Sequence, residues 1–407
     1  MRCGLLGNHL SHSYSPRIHS YLGDYSYLLF DKDPTALGDF LQSGDFHGLN
    51  VTAPYKKTVI PYCAHLTDTA NRLGAVNTIV RNLDGTLIGH NTDYFGFSYM
   101  LQRSRLDVCG KKVLVLGNGG AAAAVCGVLA DRGAHAVIIS RSGENNYLNL
   151  HLHADAKVII NATPVGMYPN TGDRPIDLVE FKQLEGVLDI IYNPARTQLL
   201  MDAEKLGLKT LNGLWMLIAQ AKEAAEWFTS KKKPDNLIED IYAKLSNQLE
   251  NIVLIGMPGC GKSSVGRALA RMTGRKLIDI DDEIIRQTSQ SIESIFHNYG
   301  QDYFRDVETQ MLAKYGKESE CVIATGGGCV TRQENYPLLH QNGKIYWLQR
   351  DIDKLPTTGR PLSLQKSLEM MYAERKELYL TFSDQIISND STPEQTAAAI
   401  VAMEASL

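Results

Sequence analysis

Two stretches with the same plan decide the fold: KVLVLGNGGAAAAVCGVLADRGA at residues 112–134 and NIVLIGMPGCGKSSVGRALARMTG at residues 251–274. Each begins with a five-residue strand pattern, passes through a glycine-rich turn and continues as a helix pattern. This order of elements opens a βαβ unit, in which the strands run parallel. The sequence therefore predicts an α/β protein with two separate units of this kind.

Composition narrows the class of protein. The 407 residues correspond to two or three domains, and 44% hydrophobic with 21% charged residues is typical of a globular protein. A net charge of −4 predicts no nucleic-acid partner. Seven cysteines without a CxxC pair argue against a disulfide framework or zinc site. The amino terminus is unlike a signal peptide and no apolar run reaches about 18 residues, so we expect a cytoplasmic protein with no membrane partner.

The first glycine turn is predicted to bind a dinucleotide. Glycines let backbone N–H groups approach a pyrophosphate at a helix N-terminus, and the strand before this turn and the helix after it favour that role over a plain turn. The predicted contacts are Gly117, Asn118, Gly119, Gly120 and Ala121.

The residues after the next strand favour NADP over NAD. An NAD site usually has an acidic residue there for the ribose hydroxyl, whereas this chain reads Ser140-Arg141-Ser142. A guanidinium between two hydroxyls suits a 2′-phosphate, although Arg141 as a solvated strand-end charge is the alternative. About 15 residues separate Ser142 from the next strand, KVIINATP, so we expect this lobe to lack a helix.

The second glycine turn matches GxxxxGK[ST] in full and predicts a nucleoside triphosphate site. In this motif backbone N–H groups hold phosphates, the lysine reaches the β- and γ-phosphates and the serine binds Mg²⁺. The predicted contacts are Gly259, Cys260, Gly261, Lys262, Ser263 and Ser264.

Five polar clusters surround the first unit. They are HSYSP (12–16), NVTAPYK (50–56), GAVNT (74–78), NTDYFG (91–96) and GLWMLIAQA (213–221). Each has an ordinary alternative, with Ser15 or Asp93 as helix caps, Lys56 as a solvated charge, Asn77 as a turn residue and Gln220 on the surface.

Together with NATPVGM and YNPARTQLL, these clusters resemble the shikimate dehydrogenase family over residues 1 to about 245. The resemblance implies that shikimate is held by Ser13, Ser15, Thr52, Lys56, Asn77, Asp93, Tyr192 and Gln220. It implies that Lys56 and Asp93 form the catalytic pair and that Asp68, Ile190 and Gly213 lie near NADP(H). A lysine held by an aspartate can stabilise negative charge on a ketone oxygen and deliver a proton. Gly213 and Gln220 are seven residues apart and so share one helix face.

The second unit carries its own clusters. They are KLIDIDDEI (276–284), FRDVE (304–308), TGGG (325–328), GRPL (359–362) and AERKELY (373–379). Asp279 and Asp281 are predicted at a strand end on the same side, and Arg305 shares a helix face with Glu308. Singly, such pairs are usually surface ion pairs or turns.

Together they resemble the shikimate kinase family over residues 250 to about 400. The resemblance implies that Asp281 binds the shikimate hydroxyls and accepts the proton, while Arg305 and Arg375 hold the carboxylate. Gly327 and Gly328 would line the site. It also implies that Asp279 acts on Mg²⁺ through water and that Arg360 reaches the phosphates of ATP.

The two resemblances predict one bifunctional enzyme. The first half would reduce 3-dehydroshikimate to shikimate with NADPH, and the second would phosphorylate shikimate with ATP, on the route to chorismate and aromatic amino acids. The predicted order is a shikimate-binding lobe at 1–101 completed by a helix at about 213–230, a Rossmann-like NADP lobe at 102–212, a linker and helix at 231–249, and a P-loop kinase domain with a parallel sheet at 250–407. The alternatives are that one half alone is active, as a quinate-type dehydrogenase or another small-molecule kinase, or that one half is a sensor.

Overall fold

The computed structural model describes residues 1–10, 13–355 and 367–405. The chain forms two compact units. The first contains Met1–Met167, Asp173–Tyr192 and Leu199–Leu245, and the second contains Tyr168–Gly172, Asn193–Gln198 and Ser246–Leu407. Both are built on largely parallel sheets with helices, which confirms the predicted α/β class. The domain boundaries given above stay predictions.

The first lobe of the first unit is a sheet of six described strands. They are β1 (Arg2–Gly7), β2 (Ser26–Asp31), β3 (Gly48–Val51), β4 (His65–Leu66), β5 (Thr78–Arg81) and β6 (Leu87–His90). Their order is β2-β1-β3-β5-β6-β4, with β5 antiparallel to both of its neighbours. β3 is the third of the six strands in this order, and all four of its residues are buried, so the loop that follows it starts near the middle of the sheet.

Three helices connect these strands, and a fourth follows β6. They are α1 (Ser15–Leu22), α2 (Leu37–Ser43), α3 (Asp68–Leu73) and α4 (Asp93–Ser104). Ser15 is the first residue of α1 rather than its cap, because Tyr14 holds the N-cap position and Pro16 follows inside the first turn. Asp93 likewise opens α4, with Thr92 as the N-cap. Both cap alternatives are therefore wrong.

The second lobe is a parallel sheet of five described strands. They are β7 (Lys112–Leu116), β8 (His135–Ile139), β9 (Val158–Asn161), β10 (Gly186–Asp189) and β11 (Lys209–Leu211), with the helices α5 (Gly120–Asp131) and α6 (Gln198–Lys205). The order is β11-β10-β9-β7-β8. Residues 140–157, all of them described, contain one 3₁₀ turn, Leu150–His153, and no α-helix, as the short spacing after Ser142 predicts.

Two further helices complete this part of the chain. They are α7 (Leu214–Thr229) and α8 (Asn236–Leu249). α7 packs against α1 and α4, which brings its inward face to the first lobe. Among the helices of the described residues, none combines the length and apolar character that a membrane crossing requires.

The second unit is a parallel sheet with helices. Its described strands are β12 (Asn251–Ile255), β13 (Lys276–Asp279), β14 (Cys321–Ala324), β15 (Gly343–Gln349) and β16 (Gln385–Ser388). Its helices are α9 (Lys262–Thr273), α10 (Ile280–Thr288), α11 (Ile292–Tyr315), α12 (Asn335–His340), α13 (Leu368–Phe382) and α14 (Pro393–Ala405). The order β13-β14-β12-β15-β16 places the glycine turn after β12 at the central carboxyl edge of the sheet, where α/β proteins bind ligands.

The prediction that Asp279 and Asp281 share one side of a strand is wrong. Asp279 ends β13 and also caps α10, where its Oδ1 accepts a hydrogen bond from the backbone N–H of Asp281 at 3.2 Å. Asp281 thus lies in the first helical turn, and strand alternation does not apply to it. Because Asp279 caps α10, β13 ends at Asp279, which is earlier than its apolar pattern indicates.

Candidate active sites

An ion pair marks the first site. Lys56 belongs to the segment after β3, and its Nζ lies 2.6 Å from Oδ2 of Asp93 at the start of α4. The Asp93 side chain is 9% exposed and that of Lys56 is 20% exposed, so water screens this pair only in part. A short charge-assisted bond of this kind fixes where the ammonium points.

The pair lies in a cavity of about 240 Å³. All the residues predicted to hold shikimate line it: Ser13, Ser15, Thr52, Lys56, Asn77, Asp93, Tyr192 and Gln220. They come from segments far apart in the sequence. The packing of α7 against α1 and α4 accounts for Ser15, Asp93 and Gln220, and the pairing of β3 with β5 accounts for Thr52 and Asn77. Gln220 is only 8% exposed, so its surface alternative is wrong.

Hydrogen bonds position the polar walls of this cavity. The side-chain oxygen of Asn77 accepts from the Thr92 backbone N–H at 2.6 Å, which ties β5 to the start of α4. The hydroxyl of Tyr192 is protonated at neutral pH, as in an ordinary tyrosine, and can donate a hydrogen bond; burial raises its pKa to about 12. Asn50 also lines the cavity, although sequence reasoning did not single it out; it opens the NVTAPYK segment.

The predicted cofactor residues divide into two groups. Ala121, Ile190 and Gly213 line the same cavity as the substrate residues, so they border the space where substrate and cofactor would meet. The others are not among the lining residues of that cavity, although Gly120 lies next to Lys56: Asp68, Gly117, Asn118, Gly119, Gly120, Ser140, Arg141 and Ser142. Gly119 is the N-cap of α5 and has no side chain with which to cap the helix. The amino end of α5 therefore offers N–H groups that suit an anion.

Two glycines of this site are expected to respond differently to a methyl group. A Cβ on Gly213 would overlap with the backbone carbonyl of Ile190, whereas one on Gly119 meets no described atom within 4 Å. We expect Gly213→Ala to destabilise the fold by about 1–3 kcal/mol through overpacking. Gly119→Ala should leave the unfolding temperature unchanged and weaken NADP⁺ binding, because its Cβ stands at the amino end of α5. Thermal unfolding and NADP⁺ titration of both variants check this, and a Gly119→Ala protein that binds NADP⁺ normally would contradict it.

The second site is a cavity of about 700 Å³ at the carboxyl edge of the second unit. Most residues predicted for this site line it: Gly259, Gly261, Lys262, Ser263, Ser264, Asp281, Arg305, Gly327, Gly328 and Arg375. Cys260 and Asp279 are not among its lining residues; the Cys260 side chain is buried, and Asp279 caps α10. Arg360 lies outside the described residues.

A lysine and an aspartate line this cavity, Lys262 after β12 and Asp281 after β13, the two strands that flank β14. Lys262 opens α9, and its Nζ donates to the carbonyls of Gly256 at 2.9 Å and Met257 at 3.0 Å. These bonds hold the ammonium against the glycine turn. Burial raises the pKa of Asp281, and the nearby charge of Asp279 raises it further. An aspartate with a raised pKa is a stronger proton acceptor than an ordinary one.

Two arginines lie beside the TGGG turn. Arg305 forms an ion pair with Glu308 in which both side chains are almost fully buried, so the surface-bridge alternative is wrong. A Cβ on Gly328 would overlap with the Arg305 guanidinium, so a larger residue there would have to displace that buried group. The Arg375 Nη1 donates to the Gly327 carbonyl at 3.0 Å, and that carbonyl also accepts from the Tyr379 hydroxyl at 2.5 Å.

Burial also raises the pKa of Glu308. One of its oxygens, Oε1, has no hydrogen-bond partner among the described residues.

Arg350 also lines the cavity of the second unit, and it belongs to none of the motifs described above.

Comparison with known proteins assigns both sites to families. A model described as "Shikimate dehydrogenase substrate binding domain" matches residues 5–79, and one described as "Shikimate kinase" matches residues 258–404. The shikimate dehydrogenase (NADP(+)) of Clostridium beijerinckii is 34% identical over 267 residues, which cover 61% of this chain and 98% of that protein.

Solved structures agree with the first assignment. Shikimate dehydrogenase 1 from Peptoclostridium difficile is 35% identical, with a TM-score of 0.56, and the match covers 60% of this chain and 97% of that one. The shikimate 5-dehydrogenase of Thermus thermophilus, solved in complex with NADP(H) and shikimate, is 29% identical, with a TM-score of 0.55 and coverage of 60% and 99%. The chain therefore belongs to the shikimate dehydrogenase family, and it carries a shikimate kinase domain in the same polypeptide.

Proposed function

We propose that this protein is a bifunctional enzyme that reduces 3-dehydroshikimate to shikimate with NADPH and phosphorylates shikimate at its 3-hydroxyl with ATP. The observation that carries the proposal is the pair of built sites, each with its own reactive group. Lys56 and Asp93 meet in a small polar cavity, and Lys262 and Asp281 face a larger one. Both family assignments concern one metabolite, shikimate.

In the first site, Lys56 would act on the substrate oxygen. NADPH would supply the hydride, and reduction of a ketone places negative charge on its oxygen. The Lys56 ammonium, held by Asp93 at 2.6 Å, can stabilise that charge and donate the proton. Ser13 and Ser15 would bind the carboxylate, and the remaining polar walls would bind hydroxyl groups.

The residues present fit NADP(H). The amino end of α5, capped by Gly119, suits the pyrophosphate, and Ala121, Ile190 and Gly213 border the substrate cavity where the nicotinamide is needed. Arg141 is exposed at the end of β8 and would hold the 2′-phosphate with Ser140 and Ser142.

We expect Arg141→Gln to reduce the preference for NADP⁺ over NAD⁺. Losing a hydrogen bond to a charged group costs about 1.5–3 kcal/mol, so the KM for NADP⁺ should rise roughly 10- to 100-fold. The KM for NAD⁺, which has no 2′-phosphate, should not change. Arg132→Gln removes another exposed arginine of the same lobe and is the control. A wild-type preference for NAD⁺, or equal changes in both constants, would refute the role of Arg141.

In the second site, Asp281 would accept the proton of the attacking hydroxyl. ATP would supply the phosphoryl group, and the ammonium of Lys262 would stabilise the charge that develops on it. Arg305 and Arg375 are two almost fully buried guanidinium groups, which suits bidentate binding of a carboxylate. Gly328 leaves room for the Arg305 guanidinium, and Gly327 lies close to Pro258 of the glycine turn.

The same cavity fits Mg²⁺ bound with ATP. Ser263 lines it at the amino end of α9, next to Lys262, as the motif requires. Asp279 would reach the ion through a water molecule, with the carboxylate oxygen that does not cap α10. Oxygen ligands with retained water are typical of magnesium in phosphoryl transfer.

The proposal is tested by assaying one preparation for two activities. Shikimate with NADP⁺ or NAD⁺ measures the first, and shikimate with ATP and Mg²⁺ measures the second. We expect both, with NADP⁺ and shikimate preferred over NAD⁺ and quinate. Turnover of quinate alone would identify a quinate-type enzyme, and the absence of either activity would refute the bifunctional assignment. We further propose that the protein acts in the cytoplasm on small molecules and does not bind nucleic acid.

A further inference from the structure

Arg350 lines the cavity of the second unit and belongs to none of the sequence motifs described above. It follows β15 directly and lines the cavity together with Lys262, Arg305 and Arg375. Lys262 donates to two carbonyls, Arg305 pairs with Glu308 through Nη1 although its Nε is also buried without a partner among the described residues, and Arg375 donates to Gly327. The Nε of Arg350 is buried and has no hydrogen-bond partner among the described residues.

The position of Arg350 in the sheet assigns it to one end of the cavity. β15 pairs in parallel with β12, with Trp347 opposite Ile255. The segments that follow these two strands therefore leave the sheet side by side. A Cβ on Gly256, the first residue of the glycine turn, would lie 2.6 Å from the Leu348 carbonyl oxygen. Asp281 follows β13, which lies on the other side of β12 from β15. Asp281 therefore lies toward the end of the cavity opposite to Arg350.

A buried guanidinium N–H without an acceptor is costly, and it is satisfied by an oxygen in the guanidinium plane. Stacking on a base would cover the guanidinium face and leave Nε–H unbound. Phosphate oxygens match both the charge and the planar fork of arginine.

We propose that Arg350 binds the polyphosphate of the nucleotide, donating from Nε and one Nη to phosphate oxygens. This inference rests on the proposed kinase function, because it requires that a nucleoside triphosphate occupies the cavity. It makes Arg350 an affinity residue for the nucleotide and not for shikimate.

The test is calorimetric titration of the full-length protein with ATP and Mg²⁺, without shikimate. We expect Arg350→Gln to raise the Kd roughly 10- to 100-fold, and Arg350→Lys, which keeps the charge but lacks the fork, to raise it less. The matched control is Arg271→Gln, since Arg271 is an exposed arginine of the same unit that pairs with Glu394. The KM for shikimate should stay at the wild-type value in all three variants.

The possible outcomes distinguish failure of the Arg350 inference from failure of the proposed kinase function. A wild-type protein that does not bind ATP refutes the proposed function itself. Wild-type affinity in Arg350→Gln, or an equal rise in the KM for shikimate, overturns the role of Arg350 alone. Titration with GTP distinguishes phosphate from base: equal losses for ATP and GTP support phosphate binding, and a loss confined to ATP refutes it.

Discussion

Lys56→Met is expected to lower the kcat of the dehydrogenase by roughly 10²- to 10⁴-fold and to leave the kinase at its wild-type rate. Methionine keeps an aliphatic side chain beside Gly120, whose added Cβ would lie 3.3 Å from Lys56 Cδ, so packing at the glycine turn changes little. What is lost is the ammonium group 2.6 Å from Asp93. Shikimate-dependent reduction of NADP⁺ and shikimate-dependent consumption of ATP are measured on the same preparation.

The control for this variant is the adjacent lysine. Lys57 is exposed and does not line the substrate cavity, so Lys57→Met should behave as wild type in both assays. Retention of dehydrogenase activity in Lys56→Met would show that the ion pair is structural. Loss of both activities in that variant would show that the two sites are not independent.

The reciprocal result is expected for Lys262→Met. The ammonium is held at the glycine turn by two backbone carbonyls and faces the cavity where charge develops during phosphoryl transfer. Removing a preorganised donor of this kind costs about 10²- to 10³-fold in kcat. The dehydrogenase should keep its wild-type rate, as measured with NADP⁺ and shikimate.

Lys276→Met is the matched control, because Lys276 is exposed at the amino end of β13 and does not line the cavity. Kinase activity near the wild-type value in Lys262→Met would refute the assignment of the glycine turn to the triphosphate. A comparable loss in Lys276→Met would show that the effect reflects general destabilisation of the unit.

Local patterns predicted the elements that carry both sites. The strand expected at residues 112–116 is β7, and the Ala-rich run after the glycines is α5. These predictions succeed because an apolar run, a glycine turn and a helix pattern are set by neighbouring residues. The short spacing after Ser142 likewise predicted the missing helix, since too few residues remain to form one.

Short motifs do not predict which side chains are buried, because burial depends on contacts between residues far apart in the sequence. Gln220 could have been a surface residue from its sequence alone, and only the packing of α7 against α1 and α4 buries it. The pair Arg305 and Glu308 reads as an ordinary surface bridge, yet α11 turns that face inward. Arg350 carries no motif at all, because its relation to the glycine turn arises from strand pairing.

The sequence by itself determined that this chain contains two βαβ units with glycine-rich turns and which families its two halves resemble, because those features lie in short contiguous motifs. It also supplied the candidate side chains for the chemistry proposed above. Tertiary structure alone decided that Lys56 meets Asp93, that Arg305 is buried with its carboxylate, and that Arg350 lines the kinase cavity with an Nε that has no partner among the described residues. Burial, ion pairing and convergence on one cavity depend on residues far apart in the chain, and only packing brings them within a few ångströms of one another.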